Sequence, residues 1–160
     1  MRKFKSFLFY WLPVLVWMVL IFSGSSDAAS FQHSSQIIGP LMRWLFPHMS
    51  DEAVSLAVTC VRKLAHMTEY GILALLIFRG LRRGKAKYLD WNRSTASLAF
   101  ALAVLYSATD EFHQAFVPSR EASVRDVLFD AAGAGLAIFF LWLFRRRRPK
   151  SPSGNELQTT

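Results

Sequence analysis

Three short stretches of this chain gather the side chains that could do chemistry. Arg62, Lys63, His66 and Glu69 stand in the first, Asp110, Glu111, His113 and Gln114 in the second, and Arg120, Arg125, Asp126 and Asp130 in the third. A histidine among carboxylates offers a group that titrates near neutral pH beside general acids or bases, so His66, Glu69, Asp110, Glu111, His113 and Asp130 are the candidate catalytic residues. HxxE in the first stretch and DExH in the second also combine imidazole with oxygen donors. That set suits zinc, manganese or magnesium, and makes His66, Glu69, Asp110 and His113 the candidate ligands of a divalent metal. For ligand binding, Arg62, Lys63, Arg120 and Arg125 fit phosphate or carboxylate groups, whereas Asp126, Asp130 and the other acids fit amines.

Such residues act together only if the chain brings them to one place, and their spacing is helical. Arg62, His66 and Glu69 fall at i, i+4, i+7; Asp110, His113 and Gln114 at i, i+3, i+4; Asp126, Asp130 and Gly133 at i, i+4, i+7. Each set lies on one helix face. The neighbouring residues are apolar over 70–78, 98–106 and 131–144, and each run needs its polar extension to reach about 20 residues. Residues 7–22 are apolar throughout, with basic residues before them. The spacing predicts an all-helical, four-span membrane bundle over residues 1–148, with spans at about 7–24, 58–78, 95–115 and 124–144. A cleaved secretory signal is the rival reading of the first span, since Ala28, Ala29 and Ser30 suit a cleavage site.

Orientation follows from charge. Fourteen of the 19 lysines and arginines lie in three segments: Arg2, Lys3 and Lys5; Arg79, Arg82, Arg83, Lys85, Lys87 and Arg93; and Arg145, Arg146, Arg147, Arg148 and Lys150. Basic residues mark cytoplasmic loops, which places both termini in the cytoplasm. Counting about 1.5 Å per residue from Phe78, Thr95 and Phe144 puts His66 roughly 18 Å, Asp110 roughly 22 Å and Asp130 roughly 21 Å up, one level in the outer leaflet. The small residues Ala131, Ala132, Gly133, Ala134 and Gly135 permit close backbone approach beside them.

Between the first two spans, Gly39, Pro40 and Pro47 interrupt an apolar cluster too short to cross a bilayer. It is expected to form an outer-face interfacial helix or flap. Ser50 is the expected N-cap, with Asp51 and Glu52 in the first turn, of a helix that runs through Phe78. Residues 149–160, rich in Pro, Ser, Gly and Thr, read as a disordered cytoplasmic tail.

Composition narrows the function classes. The chain has 160 residues, 52% of them hydrophobic, and a formal charge of +8. The basic residues adjoin apolar runs instead of forming an aromatic-interleaved patch, which argues against a nucleic-acid partner and for the lipid bilayer. Cys60 is the one cysteine, so an internal disulfide and a CxxC pair are both excluded.

Residues 62–76, RKLAHMTEYGILALL, and 106–136, YSATDEFHQAFVPSREASVRDVLFDAAGAGL, carry RKxAHxxEY, DExHQxFVP and RDVxxD in order. As a set these resemble the VanZ-like family, bacterial membrane proteins named after a teicoplanin-resistance protein. One departure is Ser119, where the family often has glycine after the proline. The resemblance implies a place in the bacterial cytoplasmic membrane and a role in cell-envelope physiology or in lowering susceptibility to glycopeptides, with no settled chemistry. Three readings of the polar residues stay open. They could bind an envelope ligand, such as a lipid-linked precursor or a lipoglycopeptide. They could form a metal- or acid/base-dependent membrane enzyme acting on an envelope lipid, or they could pair with one another as a scaffold. Proton-coupled transport ranks below these, because four short helices leave little room for alternating access.

Overall fold

The computed structural model describes residues 2–24, 31–82, 91–116 and 123–146, which form five helices and, among the described residues, no strand. These are α1 (Arg2–Gly24), α2 (Phe31–Leu45), α3 (Asp51–Leu81), α4 (Arg93–Gln114) and α5 (Val124–Arg146). The expected tail and Arg120 lie outside the described residues. Three helices, α1 over Phe4–Gly24, α3 and α5, are long and apolar enough to cross a membrane. α4 has 22 residues, about 33 Å of helix. It has span length without that apolar character, because its inward face is built of alanine and polar groups. The four expected spans thus coincide with four helices, of which three have the character of spans.

Local chemistry sets the helix starts. Ser50 caps α3, its hydroxyl accepting from the Ala53 N–H at 3.3 Å, with Asp51 and Glu52 against the positive helix end. Asn92 caps α4 through its side-chain oxygen, which accepts from the Thr95 N–H at 2.8 Å.

Side-chain contacts fix the helix directions. The Trp17 indole donates to the Glu69 carbonyl at 2.9 Å, and the Trp11 ring faces Gly80, so α1 and α3 run antiparallel. The Tyr106 hydroxyl donates to the Met18 carbonyl at 2.7 Å and Phe22 packs on His113, so α1 and α4 run the same way. α5 runs beside α3 and parallel to it, with Lys63 paired to Asp126 and Gly71 beside Gly133 and Ala137. Consequently Arg79, Arg82 and Arg93 share one end of the bundle with Arg145 and Arg146, while Lys63, Asp110 and Asp126 lie towards the other.

α3 and α5 touch backbone to backbone. A Cβ built on Gly133 would lie 2.6 Å from the Met67 Cα, inside van der Waals contact, so no larger residue fits without moving α3. Within the small-residue run only Gly133 is constrained in this way; a Cβ on Gly135 would meet the Phe100 ring at an ordinary 3.6 Å. Around this crossing Tyr70, Leu73, Ala74, Ala99, Ala103 and Ala134 are wholly buried. Large apolar side chains such as Phe9, Leu105 and Leu128 point outward instead, which suits lipid and not water.

α2 departs from expectation in one respect: it continues through Gly39 and Pro40. The proline costs the helix one hydrogen bond without ending it. The chain is held by packing on α3, where Gly39 faces Val54 and Arg43 pairs with Asp51 at 2.6 Å. Its other face exposes Ile37, Leu41 and Trp44.

The Gly133 crossing yields a sharp comparison. Gly133→Ala is expected to destabilise the detergent-purified protein by roughly 1–3 kcal/mol through overpacking. Gly135→Ala should leave thermal stability nearly unchanged. Equal melting temperatures for the two variants would show that α3 and α5 do not meet at Gly133.

Candidate functional site

The polar residues at one end of the bundle are placed by three helix faces. On α4 the buried positions are Ala96, Ala99, Ala103, Ser107, Asp110, Glu111 and Gln114, a single stripe that turns from methyl groups to acids along its length. On α5 Asp130, Gly133 and Ala134 are buried. Because Gly133 draws α5 onto α3, Asp130 is carried one turn further to the level of His66.

Asp130, 2% exposed, ties three helices together. One carboxylate oxygen accepts from the Ser107 hydroxyl of α4 at 2.6 Å, and the other stands 3.8 Å from His66 Nδ1 of α3. Asp110 accepts from the Tyr70 hydroxyl at 3.2 Å and from the Gln114 amide at 3.0 Å. Glu111 accepts from the backbone N–H of Ser123 at 2.9 Å, which fixes the start of α5 against the end of α4. Asp110, Glu111 and Asp126 stand close enough to Asp130 for their charges to act on it. Three carboxylates therefore lie almost fully enclosed, each accepting at least one hydrogen bond, while the Asp130 oxygen that faces His66 is buried without a hydrogen-bond partner among the described residues.

The basic and imidazole groups lie nearer the surface. Lys63 pairs with Asp126 and passes 4.5 Å from the centre of the Phe129 ring. Its side chain and that of Asp126 are each about a third exposed, 36% and 33%. His66 is 21% exposed, and Arg62 and Glu69 are half-buried. The structure thus brings His66, Asp110, Glu111, Gln114, Asp126, Asp130 and Lys63 into one neighbourhood.

His113 departs from the face expected for it. Asp110 and Gln114 point inward with Glu111, while the His113 ring turns to α1 and packs 4.5 Å from the Phe22 ring centre. At i+3 from Asp110 it sits off the α4 stripe that continues through Glu111 and Gln114, and its Nδ1 is buried without a hydrogen-bond partner among the described residues.

Two residues not singled out for the site from the sequence hydrogen-bond its acids. Tyr70 and Ser107 each donate to a buried carboxylate, yet neither is ionisable near neutral pH. Their spacing held the signal, since Tyr70 is i+4 from His66 and Ser107 is i−3 from Asp110.

The arrangement limits the chemistry. Ser107 donates to Asp130, and His66 approaches the same carboxylate from the other side; a serine nucleophile would need the imidazole between the two. The candidate metal ligands do not converge: among the described residues no three His, Cys, Asp or Glu side chains are grouped to hold a metal ion, and His113 faces away. What remains is a half-exposed set of cations and an imidazole over buried acids.

A family model for VanZ/LLP1 matches residues 7–145, most of the chain. No curated protein and no solved structure matches.

The Ser107–Asp130 bond has a measurable weight. Ser107→Ala removes the donor from an enclosed carboxylate and is expected to lower unfolding free energy by about 1–3 kcal/mol. Ser97→Ala, on the exposed side of the same helix, should change it by less than about 0.5 kcal/mol. Indistinguishable denaturation curves for wild type and Ser107→Ala would remove Asp130 from its place as the tie between α4 and α5.

Proposed function

The chain belongs to the VanZ/LLP1 family, and from that membership and the site geometry we propose an envelope-associated binding protein of the bacterial cytoplasmic membrane. It crosses the membrane four times, α4 being sheltered between α3 and α5, with both termini in the cytoplasm. The shared end of Arg79, Arg82, Arg93, Arg145 and Arg146 supports this orientation. The polar site then opens to the outer leaflet, where it takes a lipid-linked envelope precursor or the lipid-bearing glycopeptide itself. By this route it lowers susceptibility to teicoplanin-type compounds.

The observation that carries this reading is the layering of the site. Lys63, His66 and Asp126 are accessible, over Asp110, Glu111 and Asp130, which are not. Accessible groups can meet phosphate, carboxylate or amine on a ligand, while the enclosed acids hold the helices in register and set the field around them. A membrane enzyme acting on an envelope lipid is the second reading, favoured by one feature: His66 abuts the enclosed Asp130, an imidazole–carboxylate pair of the kind that orients a general base. The two readings part on whether purified protein alters a lipid-linked precursor chemically or only retains it.

Expression in a sensitive host is expected to reduce sensitivity to a glycopeptide bearing a lipid chain more than to one lacking it, because only the former partitions into the outer leaflet. Lys63→Gln and His66→Asn keep hydrogen-bonding capacity at the accessible positions and should abolish that protection with membrane protein level unchanged. Full protection by both variants, or loss of protection matched by loss of protein, would overturn the site. A reporter active only in the cytoplasm, fused after Thr160, should give signal; silence there would reverse the orientation.

A further inference from the structure

At the basic end of the bundle, far along α4 and α5 from the carboxylates, lies a surface groove of about 470 Å³. Its floor is made by Ala96, Phe100 and Gly135, and its mouth by Trp91, Arg93 and Trp142. The floor is low because the residues facing each other across it are small or aromatic: Ala96 and Ser97 on α4, Gly135 on α5. From Arg93 to Phe100, and again from Gly135 to Trp142, the groove runs seven residues, roughly 10 Å along the helix axes. The volume is within the ~300–1,000 Å³ usual for small-molecule sites.

Polarity changes along this length. The deep part is apolar, and the mouth is where charge collects. Arg93 opens α4 with its side chain exposed and without a carboxylate partner among the described residues. Arg146 stacks on Trp142, its guanidinium carbon 5.4 Å from the ring centre, and Arg145 precedes it. Tryptophans beside arginines at the end of apolar helices mark the level of lipid headgroups, and basic pockets between such helices suit anionic headgroups.

We propose that this groove is a binding site for one anionic phospholipid, its acyl chain lying over Phe100 and Gly135 and its phosphate on Arg93. A second copy of the chain is disfavoured as the occupant. Two-fold pairing through this face would bring Arg93, Arg145 and Arg146 against their own equivalents, a like-charge juxtaposition. The site is independent of the carboxylate cluster and of the ligand proposed there; it requires only that the helices sit in a bilayer.

Native mass spectrometry of the full chain, with phosphatidylglycerol and phosphatidylcholine of matched acyl chains, tests the assignment. Wild type should retain phosphatidylglycerol in preference, and the preference should weaken with added salt. Arg93→Gln should reduce it about fivefold, the change expected for one basic group at an anionic headgroup. Gly135→Leu, which fills the floor, should reduce retention of both lipids. Equal retention of the two lipids by wild type overturns the proposal, as does an Arg93→Gln protein that binds as wild type does. If Gly135→Leu fails to fold, the Arg93→Gln comparison alone decides. A wild-type dimer that becomes monomeric in Gly135→Leu at fixed lipid would assign the groove to a second copy and also overturn it.

Discussion

A carboxylate enclosed in a helical bundle has to be met by donors, and Asp130 makes that demand on two other helices at once. Ser107 answers from α4 and His66 approaches from α3, so the position of α5 is fixed against both. The demand can be met only because Gly133, three residues on, lets the α5 backbone rest on Met67. A bulky residue there would lift Asp130 away from both partners. Close backbone packing and polar satisfaction are here one constraint. Each would be lost with the other.

From that constraint the layering of the site follows. Asp110 and Glu111 occupy adjacent inward positions of α4, so enclosing one carries the other in, and each finds a different donor: a tyrosine hydroxyl and a side-chain amide for the first, a backbone N–H for the second. Lys63 and His66 approach from α3, whose polar face is only partly covered. The acids therefore belong to the architecture and the cations to its surface. Only the second set is open to the surroundings.

Much of this was legible in the sequence, and the reason is periodicity. Amphipathic spacing located the helices and placed His66, Asp110 and Asp130 at one level, and charge asymmetry separated the basic end from the acidic one. Ser50 announced its cap. Three features were not legible. Pro40 suggested a break, yet packing on α3 outweighs one missing hydrogen bond. His113 was grouped with Asp110 because i+3 shares a helix face; a shift of one position to Glu111 decides which side of α4 is inward, and only α1, through Phe22, settles it. Tyr70 and Ser107 looked like ordinary members of a helix because a hydroxyl reveals its task only when its acceptor is seen.

The length of α3 has a mechanical consequence. Its 31 residues form one uninterrupted helix with α2 packed along its N-terminal part, where Arg43 pairs with Asp51, and it bears on α5 at Gly71 and Gly133. Treated as a rigid rod, it has the glycine contact as its fulcrum. Asp51 is about 30 Å from Gly71 along the axis and His66 only about 7.5 Å. The lever ratio is thus near four, so a sideways displacement of about 2 Å at Asp51 would correspond to about 0.5 Å at His66. On a rigid α3, the α2 contact and the imidazole therefore lie on the same arm of one lever.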